Sequence, residues 1–183
     1  MAVVPFHRVN VLTGIKASRI IEDPVQCADL ILKARRPLLV LGAKLTEWSV
    51  DGKLALEYAL DIARAARIPV CGTAHVKGKM VELGVSPDSA YDAVEIVNAL
   101  KDPDWRGVKK EGNHDLVIFL GVRSDLEEQC LSVLKHFAYK HLRTMTLDKY
   151  YFPHANYSLP NFKKDERWGR FLEELIENLR KER

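Results

Sequence analysis

The chain has 183 residues, with 47% hydrophobic and 29% charged side chains, which suits one packed core and excludes a disordered chain. Its 28 basic and 25 acidic residues interleave to a net charge of +3, so nucleic-acid binding, which calls for a clustered basic face, is not expected. No apolar run approaches the roughly 18 residues of a membrane span. The start, Met1-Ala2-Val3-Val4-Pro5-Phe6-His7-Arg8, lacks the build of a secretion signal, so a soluble cytoplasmic protein without a membrane partner is expected.

Helices and short apolar runs alternate along the chain. Asp23-Pro24 reads as a cap and first-turn proline for a helix through Arg35. Pro37-Leu38-Leu39-Val40-Leu41-Gly42 follows as a continuous apolar strand ending in glycine. Asp51 is positioned to cap the next helix, whose Leu54, Tyr58, Ile62 and Ala66 recur at helical spacing. Ile68-Pro69-Val70-Cys71-Gly72-Thr73 forms a second strand. Ser86-Pro87-Asp88 reads as the start of a helix carrying Ala90, Val94, Val97 and Leu100.

The third strand is Asp115-Leu116-Val117-Ile118-Phe119-Leu120-Gly121. Ser124-Asp125-Leu126-Glu127 has the pattern of a capping box, opening a helix that buries Leu126, Cys130, Val133, Leu134 and Phe137. Leu142-Arg143-Thr144-Met145-Thr146-Leu147 is a weaker fourth strand. From about Asp165 the last helix places Trp168, Phe171, Leu172, Leu175, Ile176 and Leu179 on one stripe, as expected of a helix docked on a core. Such alternation, with apolar strands buried on both faces, predicts a single α/β domain over 1–183. Its expected architecture is a doubly wound, three-layer α/β/α Rossmann-like parallel sheet of about six strands.

In such sheets the ligand crevice lies beyond the carboxyl ends of the strands. Those ends supply the candidate cofactor-binding residues: Gly42, Ala43 and Lys44, then Thr73 and Ala74, then Gly121, Val122 and Arg123. Glycine lets backbone amides approach a pyrophosphate, Lys44 and Arg123 offer countercharge, and a helix near Ser124 presents free N–H groups. The first turn is nonetheless neither G-x-G-x-x-G nor a P-loop.

The inventory of reactive groups is sparse. Cys27, Cys71 and Cys130 are isolated from one another and read as buried small hydrophobes. Among His7, His75, His114, His136, His141 and His154 there is no ligand spacing, and only His75 follows a strand end. No nucleophile elbow, no H-E-x-x-H and no pair of carboxylates at a strand end is visible, and Glu127 is explained as the partner of Ser124. No catalytic residue and no metal site are expected. A binding or assembly module fits better than an enzyme.

Two resemblances attach to these segments. Residues 34–42, 66–70 and 115–123 are similar to the central domain of thiamine-diphosphate enzymes, in the fold group of deoxyhypusine synthase and the sirtuins, often called NAD/FAD-binding-like. The closer one covers nearly the whole chain. Gly14-Ile15-Lys16-Ala17-Ser18-Arg19-Ile20-Ile21, Asp102-Pro103-Asp104-Trp105-Arg106-Gly107, Gly112-Asn113-His114-Asp115 and Asn156-Tyr157-Ser158-Leu159-Pro160-Asn161-Phe162 resemble the epsilon subunit of the archaeal acetyl-CoA decarbonylase/synthase complex. Arg106 stands where that pattern has proline, and residues 76–87 match it less well.

This resemblance implies a non-catalytic subunit of one-carbon and acetyl-CoA metabolism, paired with a large nickel–iron–sulfur carbon monoxide dehydrogenase subunit in an α2ε2 assembly. It further implies stabilisation of that partner and a part in passing electrons to FAD during CO oxidation or CO2 reduction, with the metal held by the other chain. The alternative is a freestanding FAD- or NAD-binding protein of the deoxyhypusine-synthase-like class. The aromatic loops Asp102 to Gly107 and Tyr150 to Phe162 are the expected contact surface for the partner.

Overall fold

The computed structural model describes residues 16–181. The Met1–Arg8 stretch, His7 and the Gly14-Ile15 pair lie outside that range. In chain order the elements are β1 (Arg19–Ile20), α1 (Pro24–Leu32), β2 (Pro37–Leu41), a single 3-10 turn (Ala43–Thr46), β3 (Ser49–Val50), β4 (Lys53–Leu54), α2 (Ala55–Ala66), β5 (Val70–Gly72) and α3 (Ala74–Glu82). Then follow α4 (Ala93–Lys101), β6 (Leu116–Leu120), α5 (Ser124–Phe137), β7 (Arg143–Thr146), β8 (Tyr157–Ser158) and α6 (Asp165–Lys181). β3 and β4 make a small antiparallel hairpin. The other six strands form one parallel sheet in the order β1-β8-β7-β6-β2-β5.

Both faces of the sheet are buried, which is why its central strands are apolar at every position. Leu39 and Leu41 of β2, with Leu116, Ile118 and Leu120 of β6, pack with α1, α2 and α6. Their neighbours Leu38, Val40, Val117 and Phe119 point the other way, into the layer of α4 and α5. The stripe of α6 is wholly buried, and the helix lies against α1 and α2. Trp168 at its centre is 0% exposed, and its indole N–H donates to the Leu147 carbonyl at 2.8 Å, so the helix is tied to the end of β7 as well as packed on it. Among the described residues no helix is long and apolar enough to cross a membrane.

Several helix boundaries differ from the sequence expectation. Asp23 does cap α1, accepting from the Val25 amide at 2.9 Å. The helix stops at Leu32, short of Arg35, because the Arg35 and Arg36 amides turn instead to the Asp115 carboxylate at 2.9 and 2.8 Å. Asp51 does not cap α2. It sits at φ 51° in the β3–β4 turn, and Glu57 accepts from the Leu54 amide at 3.0 Å.

No helix starts at Ser86-Pro87-Asp88. Asp88 takes the Val70 amide at 2.8 Å, and α4 begins later under a reciprocal cap in which Asp92 accepts from Glu95 N and Glu95 accepts from Asp92 N. Residues 88–89 run beside the outer strand β5. Ser89 bridges Cys71 in parallel, Gly72 N donates to Ser89 O at 3.0 Å, and Asp88 N donates to Val70 O at 2.9 Å. The opposite edge strand, β1, is two residues long.

Candidate functional site

From β2 the chain crosses to β5 on one side and later returns to β6 on the other, so the strand order reverses between β2 and β6. That reversal point is where ligands enter open α/β sheets. The structure brings Gly42, Ala43 and Lys44 together there with Gly121 and Val122, as expected. Thr73 joins them, its amide donating to Leu41 O at 3.1 Å, while Ala74 opens α3 and Arg123 precedes α5.

The strand-end groups are engaged within the chain. Gly42 N donates to Leu120 O at 2.9 Å and Lys44 N to Gly121 O at 2.9 Å. Gly42 is packed so closely on the Gly121–Val122 backbone that a β-carbon would overlap it. Gly121 adopts φ 74°, open to glycine at little cost, and a β-carbon there would collide with Leu45. Lys44 is paired with Glu47 at 2.7 Å, and Arg123 with Asp125 at 2.6 Å. These residues do not fit a dinucleotide pyrophosphate: the Gly42, Lys44, Thr73 and Gly121 amides are spent, Leu45 fills the space over Gly121, and the cations have carboxylate partners.

Directly beneath lies a feature that the sequence reading missed. Asp148, just past the end of β7, accepts the Gly121 amide at 2.6 Å. Glu127, in the first turn of α5, reaches the same place. Both carboxyls are 0% exposed. With both ionised, the Glu127 oxygens and Asp148 Oδ2 have no donor. Burial pushes the Glu127 carboxyl well above its ordinary range, and the neighbouring Asp148 adds to that; burial likewise raises Asp148 to about 6, against the lowering effect of the Gly121 amide. A single proton shared between the two carboxyls would pair Glu127 with Asp148, and the Thr146 side chain also lies against Glu127. The capping-box pattern at Ser124 is therefore not realised: α5 is entered through Arg123, Ser124 is already helical, and Glu127 faces inward.

The Asp102–His114 loop is built from the inside. Asn113 donates from Nδ2 to Asp102 O at 2.7 Å, and its Oδ1 accepts from His114 N at 2.7 Å. His114 is 5% exposed; its Nε2 accepts from Val108 N, which leaves Nδ1–H to donate to Arg36 O at 2.9 Å. Burial lowers the His114 pKa, in keeping with this neutral form. Trp105 meets the Tyr91 ring edge-on and the His114 ring at a tilt. In the second aromatic loop Phe152 is buried and Tyr150 is exposed.

His75 is exposed in the first turn of α3, His141 meets Leu100 O at 3.0 Å, and His154 pairs with Glu128. The cysteines are buried, and desolvation pushes Cys27 to about 12 and Cys130 to about 11, with Cys71 also raised. Such thiols behave as apolar side chains. Among the described residues no group of three or more His, Cys, Asp or Glu is placed to hold a metal ion.

The covered parallel sheet and its reversal between β2 and β6 define a three-layer α/β/α, Rossmann-like domain. Over residues 1–176 the chain matches the family described as CO dehydrogenase beta subunit/acetyl-CoA synthase epsilon subunit. It is 39% identical over 166 residues to the acetyl-CoA decarbonylase/synthase complex subunit epsilon of Methanothermobacter thermautotrophicus, covering 91% of each chain. It is 37% identical to subunit epsilon 1 of that complex from Archaeoglobus fulgidus, covering 85% of this chain and 82% of the other. Against subunit epsilon 1 of Methanosarcina barkeri the identity is 32%, with 91% and 92% covered. The chain belongs to this epsilon-subunit family.

Proposed function

We propose that this chain is a non-catalytic accessory subunit of an acetyl-CoA decarbonylase/synthase complex. It docks on, and stabilises, the large nickel–iron–sulfur carbon monoxide dehydrogenase subunit in an α2ε2 assembly in the cytoplasm. The observation that carries this reading is the match to epsilon subunits along 91% of both chains, which leaves little of either without a counterpart. Three separated, buried cysteines with raised pKa values suit a chain whose metal is supplied by its partner. Native mass spectrometry of the chain recovered from cell extract is expected to show it in a particle with two copies each of a large metalloprotein and this subunit. Recovery as a lone protein, or CO oxidation by the purified chain unaided, would overturn the proposal.

Passage of electrons to FAD, the finer expectation from the family, does not find its cofactor site at Gly42, Lys44, Thr73 or Gly121, whose amides are committed to Leu120 O, Gly121 O, Leu41 O and Asp148. A pyrophosphate placed there would also face the Asp125 carboxylate and the buried pair Glu127 and Asp148. Titrating the purified chain into FAD is expected to leave the flavin fluorescence unchanged at millimolar protein. Quenching with a micromolar midpoint, abolished by Lys44→Ala or Arg123→Ala, would restore the flavin to these strand ends.

A further inference from the structure

The opposite rim of the sheet carries a recess bordered by the Gly112-Asn113-His114-Asp115 segment. At the amino ends of β2 and β5, a cavity of about 180 Å³ is lined by Arg35, Arg36, Arg67, Lys109, Glu111 and His114, among others. Four cations gather there, with Glu111 in the lining, Asp88 on Lys109 and Asp115 beneath Arg35 and Arg36. Arg35 and Arg67 make no side-chain hydrogen bond or ion pair among the described residues. Arg36 is held in place: its Nε donates to Asn113 O at 2.8 Å and its Nη1 to Glu111 O at 3.4 Å. Gly112, at φ 117°, makes this possible, since a β-carbon there would lie 2.8 Å from the Arg36 Nη1. Asp115 fixes the Arg35–Arg36 backbone from below through its two amide bonds.

Arg67 provides an independent pointer. It terminates α2 in the left-handed conformation, φ 51° and ψ 42°, a position usually given to glycine. An arginine there bears a conformational cost of roughly 1 kcal/mol per residue, and backbone strain of this kind clusters at sites where a side chain has a task. The strained residue lines the same cavity as Arg36 and Lys109. Lys109 comes from a loop with three positive-φ residues, Gly107, Lys110 and Gly112.

We propose that this cavity, bounded by Arg35, Arg36, Arg67 and Lys109, binds a phosphate group, either inorganic phosphate or the phosphate of a small ester. With Glu111 in the lining, Asp88 on Lys109 and Asp115 beneath Arg35 and Arg36, one positive charge is left in surplus, and the side chains of Arg35 and Arg67, which have no carboxylate partner, are the ones open to a group carrying about −1.5 to −2 at neutral pH. Guanidinium forks present paired N–H donors that suit phosphate oxygens, and a concave wall admits a compact anion. Lys109 is also bound to Asp88 at 3.1 Å, so it can swing to a ligand while Asp88 keeps the Val70 amide.

The test is thermal unfolding of the full chain at fixed ionic strength with sodium phosphate, pyrophosphate, AMP, ADP or chloride. Phosphate-bearing compounds are expected to raise Tm where chloride does not; equal response to phosphate and AMP marks free phosphate, and a stronger response to AMP or ADP marks an ester. Arg67→Gly relieves the left-handed strain, so its Tm without ligand is expected to match or exceed the parent's, while apparent affinity for phosphate falls about tenfold. Lys109→Ala is a second variant with the same expected loss. No shift beyond chloride, or a shift that Arg67→Gly leaves intact, would overturn the site. A shift with a polyglutamate peptide and none with phosphates would also overturn it, in favour of an acidic protein surface.

Discussion

Gly42→Ala is expected to remove at least about 3 kcal/mol of stability, enough to leave the chain largely unfolded at moderate temperature. The added methyl would overlap the Gly121 carbonyl oxygen and the Val122 backbone, and these are main-chain atoms of the neighbouring strand with no rotamer to yield. β2 and β6 are paired along five residues in the middle of the sheet, so separating them disturbs both hydrophobic layers. Gly84→Ala is the contrasting control. Gly84 has a positive φ, 73°, where Gly42 is extended at φ −105°, but open space surrounds it, so only the conformational cost of about 1 kcal/mol should appear. Urea denaturation of the two variants separates the contributions. Similar midpoints would mean that strand-end closure is not tight.

The buried carboxyls give the second large effect, through pH. Both pKa values are raised, so the folded chain holds protons that the unfolded chain has released; stability contributed by this pair is present at acid pH and lost as pH climbs. For Asp148 the window runs from 3.8 to about 6. Glu127→Gln keeps a donor toward Asp148 without a proton to lose. The variant is therefore expected to be more stable than the parent at pH 7, by roughly 1.4 kcal/mol for each pH unit that Glu127 stays protonated above its ordinary value. The gap should close toward pH 4.5. Chemical denaturation at several pH values reads it directly, and a gap independent of pH would show that Glu127 is not the proton holder. Asp148→Ala, which strands both the Gly121 amide and Glu127, is expected to lower stability at every pH.

What the sequence revealed and what it hid follow one physical division. Continuous apolar runs betrayed β2, β5 and β6, because strands buried on both faces cannot alternate, while β7, with Arg143, Thr144 and Thr146 in it, showed only weakly. The α6 stripe was equally plain. Two-residue strands such as β1 and β8 have no periodicity to read and exist only through their neighbours. α3 escaped notice because little of it is apolar, Val76 and Met80 being its fully buried large side chains.

Local patterns misled where a distant partner outcompeted them. Ser124-x-x-Glu127 satisfies the capping rule, yet Glu127 turns to Asp148, remote in sequence. Asp51 and Ser86-Pro87-Asp88 are good helix openers, taken over by a hairpin turn and by the Val70 amide. The strand-end glycines were legible as glycines at strand ends, but the backbone closure they make there depends on Leu45 and Gly121 meeting in space. The arginine recess draws on residues 35–36, 67 and 109–114, three segments whose adjacency no linear motif announces.

The rims of the sheet constrain how this subunit can join anything. At one side Ser89 and its neighbours already occupy the peptide groups of β5, and at the other β1 offers a ladder only two residues long. Among the described residues neither margin offers a long open ladder for a foreign strand to lengthen the sheet. Such margins favour recognition of a companion polypeptide through the shape and chemistry of helices and loops, and they also discourage the free subunit from stacking edge to edge with copies of itself.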